Sequence, residues 1–194
     1  MVVLTWLNNI FRRGNKEEMF PFNSRDYLYN TRGYKILINR QLSVSKLSLE
    51  FQAEPSLYFA DHRLLEELFI QPSDGPDYLS KRIIFTKMKT ITELALNLGV
   101  IVRYSFNPVS SLYLIGSIGP MYSDTETERL AKGFAFSDIA ALGTSVRINR
   151  FLFDIRTGIR HVSNADLRLP NSGHNTTTID FGLSYYLNNL PAGD

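Results

Sequence analysis

The longest regular pattern in the chain covers residues 90–106. There Thr92, Leu94, Leu96, Leu98, Val100, Val102, Tyr104 and Phe106 share one parity, and Glu93, Ala95, Asn97, Gly99, Arg103 and Ser105 share the other. Alternation at period 2 predicts a β-strand with one apolar and one polar face. At about 3.3 Å per residue the strand is about 50 Å long, enough to cross a hydrocarbon layer even when tilted by about 45°. The same alternation marks 47–59 (Leu47, Leu49, Phe51, Ala53, Leu57 and Phe59 against Ser48, Glu50, Gln52 and Glu54), 142–148, 151–163 and 177–187, and more weakly 34–39 and 112–122. The joins alternate in length: short near 40–46, long over 60–89, short over 107–110, long over 123–132, short at Asn149 and Arg150, long over 165–174. Short turns on one side and long loops on the other are the rhythm of an outer-membrane barrel. Because 34–39 must then run inwards, closure with an even strand count requires one earlier outward strand, somewhere in residues 1–29. The expected fold is all-β, an eight-stranded antiparallel transmembrane β-barrel filling 1–194 as a single domain, with 1–32 the stretch whose pattern says least.

Alternation alone fits equally a lipocalin-like barrel with an apolar interior. The small residues favour the opposite arrangement: Gly99, Gly143, Ser145, Gly158, Gly182 and Ser184 all fall on the charged face, as a narrow lumen filled by paired Glu and Arg side chains requires. Length suits one domain. No run of about 18 apolar residues exists, so only a barrel could span a membrane. With no cysteine and only His62, His161 and His174 as soft ligands, neither disulfides nor a zinc centre is expected, nor any cofactor. A net charge of +2 with acids and bases interspersed offers no basic stripe for nucleic acid. The segment 1–13, MVVLTWLNNIFRR, has its positive charges after the apolar stretch and no small-residue cleavage site. Either the chain is not exported, or its start lies upstream, or its signal is atypical; the barrel reading favours the last two.

The strand over 151–163 carries the chemistry. Its apolar parity, Phe151, Phe153, Ile155 and Ile159, ends in His161 and Ser163. On a lipid-facing wall these two arrive at the outer leaflet, roughly 6–7 Å apart along one face. A histidine so placed can take the hydroxyl proton as Ser163 attacks an ester and return it to the leaving alcohol, and Asn164 can offer an amide donor to the oxyanion. By itself a His-x-Ser pair on a strand is more often an incidental surface pair.

Residues 160–173, RHVSNADLRLPNSG, resemble the signature of the lipid A 3-O-deacylase family of outer-membrane barrels, also called acyloxyacyl hydrolases. Weaker likeness extends over LEFQAEPSLYF at 49–59, ITELALNLG at 91–99, LIGSIGPMY at 114–122 and KGFAF at 132–136. The resemblance implies an active site facing the bilayer, with His161 as base, Ser163 as nucleophile, Asn164 at the oxyanion hole, no metal, and lipid A of lipopolysaccharide in the outer leaflet as partner; it also allows a homodimer. The family's first-described members carry Glu fourteen residues after the histidine, where this chain has Asn175. An amide can hold an imidazole but cannot stabilise an imidazolium by charge. Three readings follow: a deacylase with Asn175 as third member, a non-catalytic barrel associated with lipopolysaccharide, and an esterase of phospholipase type.

Other polar residues receive plainer expectations. Asp180, on the inward parity, should pair with Arg156 or Arg160, and Asp166 is an alternative acid reaching over from the loop. His62 and His174 are read as solvated loop residues, as are Glu66, Glu67, Glu126 and Glu128. Lys81, Arg82, Lys87 and Lys89 are read as solvated or as facing lipid phosphates.

Overall fold

The structure is a computed structural model that describes residues 2–7, 26–43 and 45–186, with backbone alone for 2–7. Its strands are β1 (Val2–Leu7), β2 (Tyr27–Gln41), β3 (Leu47–Leu64), β4 (Lys89–Ser105), β5 (Ser110–Ser123), β6 (Gly133–Ile148), β7 (Phe151–Ser163) and β8 (His174–Tyr185), with one α-helix, α1 (Tyr78–Phe85), between β3 and β4. Each strand pairs antiparallel with the next, and β1 pairs with both β2 and β8, which closes the barrel. The wall is all-β and antiparallel, but seven long strands make it where eight were expected. The remaining element is the six-residue β1, inside the window foreseen for a first strand; positions 8–25 of that window lie outside the described residues. Residue 187, expected to end the last strand, also lies outside them.

β2 and β6 begin well before the stretches expected for them, 34–39 and 142–148, and two further differences concern β3 and the join after it. β3 runs on to Leu64 because Ala60, His62 and Leu64 keep the inward parity, while Asp61 and Arg63 on the outward parity conceal it from a hydrophobic reading. The join after β3 folds α1, whose Phe85 is buried with Leu64 and Ile70.

The apolar face is the outer one. Leu94, Leu96, Leu98, Val100 and Val102 on β4, Leu112 and Leu114 on β5, and Phe151, Phe153 and Ile155 on β7 are all exposed. The inward parity is buried and sets paired charges among apolar clusters such as those around Ile101 and Met121. Arg156 donates through Nε to Asp180 at 2.6 Å and through Nη2 to Glu54 at 2.7 Å, while Lys35 Nζ reaches Asp180 at 2.8 Å and Glu54 at 3.3 Å. Asp180 is therefore an interior partner of Arg156. Arg160 turns instead to Glu93 at 2.8 Å and Ser137 at 3.0 Å, with its guanidinium 4.0 Å over the Tyr58 ring. Buried charges are tolerable only when fully paired, so the lumen fixes which strands can be neighbours. The expected glycines serve this packing: on the inner face of β6, Gly143 leaves the space occupied by the Tyr113 ring, whose hydroxyl donates to Asp154 at 2.6 Å.

Candidate active site

β7 delivers His161 and Ser163 to the outer face in its last three residues, at the end of the barrel that carries the long loops. His161 stands directly opposite Asn175 on β8 and directly opposite Asp138 on β6. Ser163 stands opposite Phe136, whose ring packs edge-on against Phe134 at 5.0 Å. The His161 Nδ1 and Asn175 Oδ1 atoms lie 2.7 Å apart, and since an amide oxygen can only accept, Nδ1 carries the proton, which in the neutral ring leaves the lone pair on Nε2. The Asn175 backbone N–H donates to the Tyr27 hydroxyl at 3.3 Å, which ties the start of β8 to β2.

Gly173 sets how closely the pair can be approached. Its φ is +69°, a conformation that favours glycine, and a Cβ there would come within 3.2 Å of His161 Cε1 and 3.5 Å of Ser163 Cβ. Both candidate side chains thus border the space above one bare Cα.

The loop between β7 and β8 is bonded to itself and to the loop before β6. Asn164 is buried: its backbone N–H donates to Asn171 Oδ1 at 2.6 Å, and its Nδ2 donates to the carbonyls of Arg168 at 2.6 Å and Pro170 at 3.4 Å. Its donors therefore fasten the loop, and the oxyanion role expected of it would require one of them to be released. Asp166, the alternative acid, accepts from Asn171 Nδ2 at 2.9 Å. Ala131 N–H donates to Pro170 O, and Gly173 N–H to Arg129 O, each at 2.9 Å.

The two other histidines are buried, contrary to expectation. His62 and His174 keep the inward parity of β3 and β8, where those strands outrun the apolar belt and close the long-loop end of the lumen. His62 Nε2 lies 3.2 Å from Glu128, His174 Nε2 lies 2.9 Å from the Thr127 hydroxyl, and the His174 ring stacks on Tyr29 at 4.5 Å. Glu128 is buried as well, because residues 127–131 fold into the barrel mouth, whereas Glu66, Glu67 and Glu126 are exposed as expected. Of the basic residues, Lys81 pairs with Asp77 at 3.1 Å, Arg82 donates to the Ile70 carbonyl and Lys89 to that of Glu126, leaving Lys87 exposed.

Sequence reading missed Asp138, Asn171 and Gly173. Asp138 had a signal: it is the one charged residue on the outward parity of β6, among Phe134, Phe136, Ala140 and Leu142. Asn171 and Gly173 lay within the motif but were taken only as part of its wording.

Comparison with known proteins gives a family and a fold. The family model of lipid A 3-O-deacylase (PagL) matches residues 22–184. Among solved structures, the crystal structure of the outer membrane enzyme PagL superposes with a TM-score of 0.53 at 11% identity, covering 94% of this chain and 98% of that one. At that identity the likeness is one of fold. The backbone structure of the Yersinia pestis outer membrane protein Ail in a phospholipid bilayer nanodisc aligns at a TM-score of 0.39 and 13% identity, covering 93% of this chain and 96% of that one. None of the curated proteins matches the chain in sequence. Neither fold nor comparisons support the homodimer.

Proposed function

As the chain belongs to the lipid A 3-O-deacylase (PagL) family, we propose that it spans the outer membrane and hydrolyses the ester at the 3-position of lipid A in the outer leaflet. The observation that carries this reading is the position of the His161–Asn175 pair: hydrogen-bonded, with Ser163 beside it, on the outward face at the outer end of an apolar belt. A soluble esterase would turn such groups towards water or a cleft. Here the substrate's acyl chains would lie against the same wall as the reactive groups.

Ser163 is the nucleophile and His161 the base. With Nδ1–H held by Asn175, Nε2 takes the Ser163 proton as Oγ attacks the acyl carbonyl, then gives it to the departing sugar hydroxyl. A water deprotonated by the same nitrogen then breaks the bond between Ser163 Oγ and the acyl carbon, the proton passes from Nε2 back to Oγ, and the fatty acid is released. For Asn164 to bind the oxyanion, its Nδ2 must leave the carbonyls of Arg168 and Pro170. Below the site the outer face is low: Ala140 follows Asp138 on β6, and opposite it on β5 Gly116 would meet nothing within 4 Å if it carried a Cβ. An acyl chain can lie along that depression.

Incubating the folded barrel with lipid A in detergent and following free fatty acid release tests the activity. Release by wild type and none by Ser163→Ala is the expected result. The second reading, a barrel that holds lipopolysaccharide without cleaving it, is favoured by Asn175, which leaves the imidazolium without a charge on that side.

A further inference from the structure

We infer that Asp138 is a positioning residue that acts on His161, supplying from β6 the negative charge that Asn175 cannot supply from β8. The inference rests on the reading of Ser163 and His161 as an ester-hydrolysing pair. His161 is flanked in register by Asp138 on one side and Asn175 on the other. Directly opposed side chains have Cβ atoms about 4.5–5.5 Å apart, close enough for a carboxylate to feel an imidazolium without a hydrogen bond between them.

The surroundings of Asp138 leave few other roles for its charge. Its opposite neighbour on β5 is Ile118, and its outward neighbours along β6 are Phe136 and Ala140. Its Oδ1 is buried and has no hydrogen-bond partner among the described residues. An unpartnered carboxylate oxygen on an apolar wall is costly unless a cation compensates it. A neutral His161 offers no such compensation, and a protonated one does. The attraction therefore appears when Ser163 gives up its proton and fades when His161 returns it, which is the condition for favouring the transition state over bound substrate.

Of the other charged or titratable groups near His161, all but the exposed Arg168 are engaged. Arg160 points inwards to Glu93, His174 bonds Thr127 behind the wall, and Asp166 accepts from Asn171. Arg129 Nε donates to the Gly173 carbonyl, Arg168 lies beside Gly133, and the Tyr27 hydroxyl accepts from the Asn175 backbone.

The test is an NMR titration of the His161 ring in the full chain folded in micelles, run beside pH–rate profiles, for wild type, Asp138→Asn, Asp138→Ala, Asn175→Glu and Asp138→Asn with Asn175→Glu. Either neutral variant at 138 should lower the His161 midpoint by about one unit and shift the acidic limb of the rate profile with it. The kcat should fall about tenfold with KM little changed. In the Asn175→Glu background the loss should be much smaller. A His161 midpoint unmoved by both neutral variants, a change in KM alone, or an equal loss in the Asn175→Glu background would overturn the inference. If wild type cleaves no ester, the hydrolytic reading fails, while the titration midpoint still decides whether Asp138 acts on His161.

Discussion

Asn175 Oδ1 accepts from His161 Nδ1 at 2.7 Å across a register pair of β8 and β7. The amide sets the tautomer, and the charge that a carboxylate would bring to the imidazolium is absent from that strand. Asn175→Ala should therefore reduce hydrolysis, because both ring nitrogens become candidates for the proton. Asn175→Glu should maintain or raise it. Initial rates on lipid A decide; a fully active Asn175→Ala protein would show that the hydrogen bond is idle.

The belt predicts an asymmetry between adjacent residues of β4. Leu96 is exposed on the apolar face, while Asn97 is buried and donates to the Ser137 carbonyl at 2.5 Å. With the belt in the bilayer as proposed, Leu96→Arg near the midplane should destabilise the barrel by about 2–4 kcal/mol. Urea titration in lipid vesicles measures this, and lipid-borne quenchers should reach a fluorophore at 96 but not one at 97.

Inside the lumen, Asp180 answers both Lys35 and Arg156. Removing it leaves two buried cations sharing Glu54, so Asp180→Ala should cost about 3–5 kcal/mol. The readout is the urea midpoint of the folded band on a gel.

The depression below the site gives a prediction about substrate. Gly116→Leu and Ala140→Leu add bulk on the outer surface, where Gly116 faces open space. The fold should be retained and long-chain esters cleaved more slowly, while short soluble esters are cleaved at wild-type rate. Equal loss on both would place the acyl chain elsewhere.

Strand existence was legible in the sequence wherever one face stayed apolar over many residues, as in 90–106 and 151–163. It failed at the ends: Asp61, Arg63 and Asn175 stand on outward positions beyond the apolar belt, so alternation of hydrophobicity stopped before alternation of side-chain direction did. The same limit put His62 and His174 in solvent, although they lie inside strands. The candidate residues His161, Ser163 and Asn175 could be named from the motif and placed on one face from parity, as the structure has them. Their second flank could not, because Asp138 faces His161 only through the register of β6 on β7, and register depends on pairings far apart in sequence. The bonds that turn Asn164 into a fastener of its loop likewise depend on the fold of residues 165–171.

The most direct test is mass spectrometry of lipid A from cells whose outer membrane carries the folded protein as wild type or as Ser163→Ala. The account predicts lipid A lacking its 3-position acyl chain with wild type and intact lipid A with the variant, both proteins keeping the heat-modifiable mobility of a closed barrel. Intact lipid A with wild type, or deacylation that survives Ser163→Ala, would contradict it.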